Sequence, residues 1–153
     1  GEETMTGGRI KRGIEDLNED KFMLTYGDGI SDVNIRELTN FFENSSFKAV
    51  VTAVRPPARF GRLKLDKDNV TEFGEKNQTD EGWINGGFFV LDKSVIDYIP
   101  DDQTIFEKET LENLSKDGKL GAFIHEGFWQ PVDTIREKEI LEEKFLTDPL
   151  DWL

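Results

Sequence analysis

The stretch from Phe22 to Gly29 constrains the fold more than any other part of this 153-residue chain. Phe22 to Tyr26 is an apolar, β-favouring run, and Gly27-Asp28-Gly29 follows it directly. This pattern predicts a short buried strand over 22–27 that delivers the Asp28 carboxylate to the carboxyl edge of a sheet. Ligands of open α/β sheets bind beyond that edge, and the flanking glycines let a ligand or metal ion approach the backbone closely. Gly-Asp-Gly is also common turn chemistry, so a plain turn is the alternative.

A βαβ unit is predicted around this strand. Asn34 followed by Glu37 is a helix-capping pattern, and the apolar residues after Asn34 recur at helical spacing: Ile35, Leu38, Phe41 and Phe42. The next run, residues 47–54, is nearly all apolar, as expected for a parallel strand covered on both faces. The predicted fold is therefore α/β and partly Rossmann-like, with a mostly parallel sheet and flanking helices.

The remaining elements are predicted from turn and periodicity signals. They are an antiparallel hairpin of 61–65 and 70–73, strands over 83–91 and 120–125, and helices over 104–116 and 135–145. Asp133 or Thr134 is expected to cap the last helix. Thr6 could cap a short helix whose first turn offers an anion site, and a frayed terminus is the alternative. Because no linker or repeat interrupts residues 1–153, we expect a single domain.

The charge balance limits the partners of the chain. Nineteen basic and 32 acidic residues give 19 − 32 = −13, so nucleic acid is not an expected partner. A small phosphorylated ligand stays compatible with this charge if a divalent cation accompanies it. The chain has no cysteine for disulfide or thiolate chemistry, and it has no apolar run of membrane-spanning length. These features predict a cytoplasmic protein that does not contact a membrane.

Several short motifs occur in an order that is more specific than any one of them. They are Tyr-Gly-Asp-Gly, Phe-Gly-Arg-Leu, Gly-Glu-Lys, Trp-Ile-Asn-Gly-Gly-Phe-Phe-Val and Phe-Trp-Gln-Pro-Val-Asp-Thr. In this order the chain resembles the sugar-nucleotidyltransferases, from its first residues to about Trp152. Thr-Met-Thr-Gly-Gly-Arg and Val-Arg-Pro-Pro resemble the cytidylyl branch of that family. The resemblance implies that CTP and glucose 1-phosphate are joined into CDP-glucose and pyrophosphate, with Mg²⁺ as cofactor.

The same resemblance implies the metal site. It places Asp28 and Asp133 as catalytic residues and as ligands of one Mg²⁺, and Mg²⁺ typically takes one or two carboxylates plus phosphates and water. The alternative for Asp133 is a helix cap, which is the commoner role of an aspartate before a helix. His125, the only histidine, has no partner at any informative spacing, and we expect it to be a strand residue without a catalytic role.

Substrate contacts are implied as well. Glu75 would accept hydrogen bonds from sugar hydroxyls and Lys76 would meet the sugar phosphate, or both are simply solvated charges on a turn. Asn85 and Gly86 would face the sugar, although Gly86 could equally mark a strand irregularity. The aromatic ring beside Asp28, that of Tyr26, is either a ligand contact or a core residue.

Near the cytosine the resemblance places Thr6 and Arg9. In this family a Gly-rich loop with Gly-Thr-Arg holds the triphosphate, and nothing comparable occurs in these 153 residues. We therefore expect a carboxyl-terminal portion that is inactive alone, and a homo-oligomer because strand 22–27 would leave an open edge. Two other hypotheses are a non-catalytic sugar-phosphate-binding or oligomerisation module, and a receiver-like domain phosphorylated on Asp28.

Overall fold

A computed structural model describes residues 2–56, 61–66, 69–75 and 82–147. The helices are α1 Thr6–Glu15, α2 Ile35–Glu43, α3 Leu111–Lys116 and α4 Ile135–Thr147. The strands are β1 Lys21–Thr25, β2 Gly29–Ser31, β3 Ala49–Val54, β4 Gly61–Asp66, β5 Asn69–Glu75, β6 Ile84–Asp92, β7 Leu120–Ile124 and β8 Trp129–Pro131. A 3₁₀ helix spans Lys93–Tyr98, and a π-helical turn over Phe106–Thr110 leads into α3.

The chain divides into two compact units, each assembled from three segments. The first unit contains Gly1–Tyr26, Asn34–Thr52 and Gly87–Ile124, and the second contains Gly27–Val33, Ala53–Gly86 and His125–Leu153. Among the described residues, no helix has both the length and the apolar character needed to cross a membrane.

The central sheet of the first unit has the strand order β1-β6-β3-β7. β1 and β6 pair antiparallel, from Lys21 opposite Asp92 to Thr25 opposite Phe88. At the far end of β6, Asp92 N donates to the carbonyl of Lys48, just before β3, so β6 also runs against β3. Because β3 and β7 begin side by side, β1, β3 and β7 point one way and β6 alone points the other. This confirms the predicted α/β fold with a mostly parallel sheet.

The predicted βαβ unit is present with one addition. β1, α2 and β3 follow each other as expected, and the Asn34 side chain caps α2 by accepting from Arg36 N and Glu37 N at 3.1 and 3.2 Å. However, β6 lies between β1 and β3. The prediction that the first strand is fully buried is wrong: β1 is an end strand of the described sheet, and Met23 is 55% exposed.

The core of the first unit lies where β6 meets the helices. Phe89 and Phe106 are fully buried there and pack edge to face, with ring centroids 5.7 Å apart. Burying aromatic rings of this size removes much apolar surface from water, which makes such pairs a main source of stability. Ile14, Leu91, Val95, Ile99 and Leu114 complete the same buried cluster. α1 is therefore a packed helix, and the alternative of a frayed terminus is wrong.

The second unit contains two small antiparallel pairs and α4. β4 and β5 form the predicted hairpin, with Gly61 opposite Glu75 and Asp66 opposite Asn69. β2 and β8 form a ribbon of three residue pairs that the sequence patterns did not indicate. Leu141 is the buried residue of α4, and it is 6% exposed. The ribbon matters most for function because both candidate metal ligands flank it.

Candidate active site

The β2–β8 ribbon brings the backbones of Asp28 and Asp133 to the same end of one structure. Gly29 lies opposite Pro131, and Val132 N donates to the carbonyl of Asp28 at 2.7 Å. Asp28 is therefore paired with the residue that directly precedes Asp133, although the two aspartates are far apart in the sequence. Both residues are exposed. Sequence patterns could suggest each carboxylate separately, whereas the pairing of β2 with β8 supplies their proximity.

Asp133 does not use its carboxylate to cap α4. Thr134 Oγ1 accepts from Glu137 N at 3.2 Å, and the Glu137 carboxylate accepts from Asp133 N, Thr134 N and Thr134 Oγ1 at 3.0 Å each. This is a reciprocal capping box formed by Thr134 and Glu137. Within the described part of the chain, the carboxylates of Asp28 and Asp133 accept no hydrogen bond from a protein group. Their oxygens are thus available to a ligand.

The described residues contain no cluster of three or more histidine, aspartate or glutamate side chains that could hold a metal ion. Asp28 and Asp133 are two potential ligands on one ribbon. Such a pair could hold a divalent cation that prefers oxygen ligands, because cations of this kind need only one or two carboxylates and take other oxygens in the remaining positions.

Trp129 fastens the ribbon to the strand that carries Asn85 and Gly86. Its indole Nε1 donates to the carbonyl of Gly86 at 2.8 Å. A side chain at Gly29 would begin 3.6 Å from that same nitrogen, so the ribbon and β6 lie close together here. Asn85 is exposed and Gly86 is buried. The backbone of Gly86 thus supports the ribbon, and the exposed amide of Asn85 is the group in this pair that a ligand can reach.

His125 secures the end of the ribbon where Ser31 pairs with Trp129. Its Nε2 lies 2.8 Å from Asp32 Oδ1 and 3.2 Å from the Phe128 carbonyl. The His125 side chain is 11% exposed and that of Asp32 is 33% exposed, so the histidine ring is the shielded partner. Ser31 Oγ donates to the same Phe128 carbonyl at 2.8 Å. The prediction that His125 is a strand residue is wrong, because β7 ends at Ile124. Its partner Asp32 lies 93 positions earlier in the sequence, where no local spacing rule could find it.

In the first unit, the side chains of Thr6 and Tyr26 both form hydrogen bonds with the carboxylate of Glu107, a residue that the sequence patterns did not indicate. The Tyr26 hydroxyl donates to Glu107 Oε1 at 2.7 Å, and Thr6 Oγ1 donates to Glu107 Oε2 at 2.8 Å. Thr6 Oγ1 also accepts from Phe106 N at 3.0 Å. Thr6 does not cap α1, since Met5 is the N-cap and no side chain caps it. Glu107 looked like an ordinary acidic residue in the first turn of a helix.

The ring of Tyr26 packs against the core, while its hydroxyl makes the polar contact with Glu107. Its ring packs against Phe89 with centroids 5.6 Å apart. Gly87 adopts φ +79°, and a Cβ at that position would lie 2.8 Å from Tyr26 Cδ2. A side chain there would suffer both a strained backbone and a clash, so Gly87 is required for the Tyr26 ring to lie where it does. The expected irregularity at Gly86-Gly87 is therefore a close contact.

The Thr-Gly-Gly-Arg motif packs α1 against the loop that precedes Phe106. Gly7 N donates to the Thr104 carbonyl at 2.9 Å, and Met5 N donates to the Asp102 carbonyl at 2.8 Å. Arg9 Nε donates to the Thr4 carbonyl at 2.8 Å, which closes the turn before the helix. These contacts give the motif a packing function in addition to any role in binding a ligand.

Glu75 and Lys76 are the two residues predicted to bind the sugar phosphate. Glu75 is the last residue of β5, where the hairpin ends. Lys76 lies outside the described residues. Their predicted roles therefore stay predictions.

The architecture is that of an open α/β protein in which exposed carboxylates follow the end of a strand, the region where this class binds ligands. A comparison with protein families matches residues 6–139 to the nucleotidyl transferase family, and the chain belongs to this family.

Individual relatives refine the comparison. The chain is 48% identical over 143 residues to the glucose-1-phosphate cytidylyltransferase of Salmonella typhi, covering 93% of this chain and 56% of that protein. It is 41% identical to a probable glucose-1-phosphate cytidylyltransferase of Bacillus subtilis strain 168, covering 93% of this chain and 55% of that protein. The crystal structure of HddC from Yersinia pseudotuberculosis matches with a TM-score of 0.68 and 25% identity, over 93% of this chain and 63% of that one. The chain spans about half the length of the curated relatives it matches.

Proposed function

We propose that this sequence is part of a glucose-1-phosphate cytidylyltransferase. Such an enzyme forms CDP-glucose and pyrophosphate from CTP and glucose 1-phosphate. The observation that carries the proposal is the 48% identity over 93% of the chain to a relative of that name. The ribbon geometry supports it, because nucleotidyl transfer depends mainly on positioning and on neutralising phosphate charge. The relative is longer than this chain, so the groups that hold the triphosphate would come from sequence beyond the matched part.

Asp28 and Asp133 would hold Mg²⁺ in this function. Their carboxylates are exposed and accept no hydrogen bond from the described protein groups, which fits the hard oxygen ligands that Mg²⁺ requires. When bound, the cation would neutralise negative charge on the phosphates of CTP. The two residues themselves would fix its position at the end of the ribbon, while Trp129 and His125 hold the ribbon in place.

The family resemblance also assigns residues to the substrates. Lys76 would pair with the sugar phosphate as a compact charge, and Glu75 would accept hydrogen bonds from sugar hydroxyls. Asn85 would both donate to and accept from the sugar, with Gly86 beside it. These assignments follow the motif positions, and the exposure of Asn85 supports the third.

Glu107 would act on the nucleotide side as a positioning residue. The hydroxyl groups of Thr6 and Tyr26 both donate hydrogen bonds to the Glu107 carboxylate, which fixes the positions of the two hydroxyl oxygens. Arg9 would add a positive charge near the cytosine, one helical turn after Thr6. Tyr26 would therefore shape the site through its ring and its bond to Glu107.

The experiment is a pyrophosphate-release assay with Mg²⁺, CTP and glucose 1-phosphate. It is run on the 153-residue chain and on a version extended to the length of the Salmonella typhi relative. We expect turnover by the extended version only. Asp28→Asn or Asp133→Asn in that version should lower kcat by ~10²–10³, the usual cost of removing one charge-stabilising group. Glu139→Gln, an exposed carboxylate change on α4, is the matched control and should leave kcat unchanged.

The outcomes separate the hypotheses. Equal turnover by the two lengths would show that the 153 residues suffice for the reaction. Absence of turnover by a folded extended version, together with binding of glucose 1-phosphate, would favour a non-catalytic sugar-phosphate-binding module instead.

A further inference from the structure

Three lysines stand at the amino ends of the three strands that point the same way. Lys21 begins β1, Lys48 directly precedes β3, and Lys119 directly precedes β7. Lys48 N donates to the Lys119 carbonyl at 2.9 Å, so the last two are neighbours on adjacent strands. Asp28 follows the other end of β1. The lysines therefore gather where these three parallel strands of the sheet begin.

These lysines line one cavity of about 360 Å³, which we call the lysine cavity. Ser45, Ser46 and Phe47 also line it, at the end of α2. This volume lies within the range of small-molecule sites, about 300–1,000 Å³. The lining combines cations, hydroxyl groups and an aromatic ring, which are the groups that recognise a phosphate attached to a small organic body.

The local charge contrasts with that of the whole chain. The chain carries −13, yet three lysines line this cavity with only two acidic residues, Glu43 and Asp92. Oδ1 of Asp92 accepts hydrogen bonds from the backbone N–H and the hydroxyl of Ser94, and the carboxylate keeps its negative charge. Glu43 lies 3.6 Å from Lys21, an exposed pair that contributes little.

Lys48 and Lys119 are left without an acidic partner in the part of the chain that the structure describes. The Lys48 ammonium is held 5.5 Å from the centre of the Tyr98 ring, and the Tyr98 hydroxyl is itself fixed by Asp117 at 2.8 Å. A cation–π contact does not neutralise the charge of Lys48. A bound dianion would be attracted to the ammonium groups of both lysines.

We propose that the lysine cavity binds the phosphate group of a small phosphorylated ligand, with Lys48 and Lys119 as its principal contacts. Lys21 adds long-range attraction but is partly balanced by Glu43. The ligand is either free phosphate or a phosphate ester, and both offer the same dianionic oxygens to the two ammonium groups. This inference does not depend on the proposed cytidylyl transfer, because the cavity is a different set of residues at the amino ends of the strands.

The test measures binding to the 153-residue chain at constant ionic strength. Backbone amide NMR spectra are recorded while inorganic phosphate, glucose 1-phosphate or CMP is added, with sodium chloride as the reference salt. We expect saturable shifts at residues around 45–48 and 119, with a millimolar dissociation constant, which corresponds to about −4 kcal/mol. Preference for inorganic phosphate would identify free phosphate as the ligand, and preference for an ester would identify the organic body as part of it.

Matched variants decide where the anion binds. Lys48→Gln and Lys119→Gln should each weaken binding, and the double variant should weaken it at least ~10-fold, the equivalent of about 1.4 kcal/mol. Lys116→Gln removes an exposed lysine that pairs with Glu112 and lies three residues before Lys119, and it should have no effect. Thermal unfolding of each variant checks that the fold is intact.

Other results would overturn the proposal. Equal shifts with chloride and phosphate would mean general screening rather than a site. Loss of binding in Lys76→Gln, with unchanged binding in the Lys48 and Lys119 variants, would place the anion at the proposed sugar-phosphate site instead. Should the double variant fail to fold, the single Lys119→Gln variant still gives the decisive comparison.

Discussion

Substitution by alanine at two glycines of α1, Gly8 and Gly13, is expected to change the stability of the protein in opposite directions. An alanine Cβ at position 8 would lie 2.6 Å from Asp102 Cα and 2.7 Å from the Asp102 carbonyl oxygen. Both contacts are with backbone atoms, which cannot rotate away, so α1 or the loop must move. At Gly13, five residues further along the same helix, a Cβ would meet nothing within 4 Å.

The expected free energies of unfolding follow from these contacts. Overpacking of a tight contact costs about 1–3 kcal/mol, and the backbone partners put Gly8→Ala near the upper end. Alanine regains about 1 kcal/mol of helix propensity, so the net loss should be about 2 kcal/mol. Gly13→Ala receives the propensity gain without a clash and should be stabilised by up to about 1 kcal/mol. The two variants should therefore differ by about 3 kcal/mol.

Urea denaturation followed by far-ultraviolet circular dichroism measures this difference, provided that the dependence of unfolding free energy on urea is unchanged. A Gly8→Ala variant as stable as Gly13→Ala would refute the packing explanation of the motif. Wild-type stability of Gly8→Ala combined with a specific loss of cytidine nucleotide affinity in the extended protein would show that Gly8 approaches the ligand rather than Asp102.

Three further outcomes are expected. Tyr98 donates a hydrogen bond to Asp117, which raises the pKa of Tyr98 above its ordinary value of 10.0. The stability that this bond contributes is therefore present below pH 10 and is lost as the pH rises through the raised pKa. The difference in tyrosinate absorbance between wild type and Tyr98→Phe should titrate above pH 10, and a midpoint at or below 10 would contradict this. His125→Gln should lower the unfolding free energy by about 1–2 kcal/mol through loss of its contact with Asp32, and a loss under 0.3 kcal/mol by urea titration would show the contact to be unimportant. The exposed end strand should make the chain self-associate, and Met23→Lys should shift sedimentation toward the monomer; a wild type that is monomeric at every concentration would count against this.

Local signals in the sequence predicted the elements that depend on neighbouring residues. The capping pattern at Asn34 and the apolar spacing after it gave α2, which begins at Ile35 as expected. The turn between the two runs of the hairpin gave β4 and β5 for the same reason. Asp28 was indicated as a candidate in the same way, by the apolar run and the Gly-Asp-Gly that follows it. Each of these predictions needs only the chemistry of a short segment.

Features that depend on distant parts of the chain could not be predicted this way. β6 inserts between β1 and β3, and this order depends on tertiary pairing rather than on the residues of any one strand. Glu107 joins Thr6 and Tyr26 across 101 and 81 positions, and nothing in its own neighbourhood marks it as different from other glutamates. The burial of β1 was overestimated because an apolar run has the same appearance in a central strand and in an end strand.

The geometry of the candidate metal site depends on residues that are not acidic. Three residue pairs make a ribbon that is marginal by itself, since isolated two-stranded structures are at best weakly stable in water. The Trp129 indole ties the ribbon to Gly86, and His125 holds Asp32 at the end where Ser31 pairs with Trp129. These two contacts oppose the mutual repulsion that Asp28 and Asp133 would feel at the other end without a cation. If the proposed cation binds there, the ribbon would gain stability, because two carboxylates that repel each other would then attract the same charge.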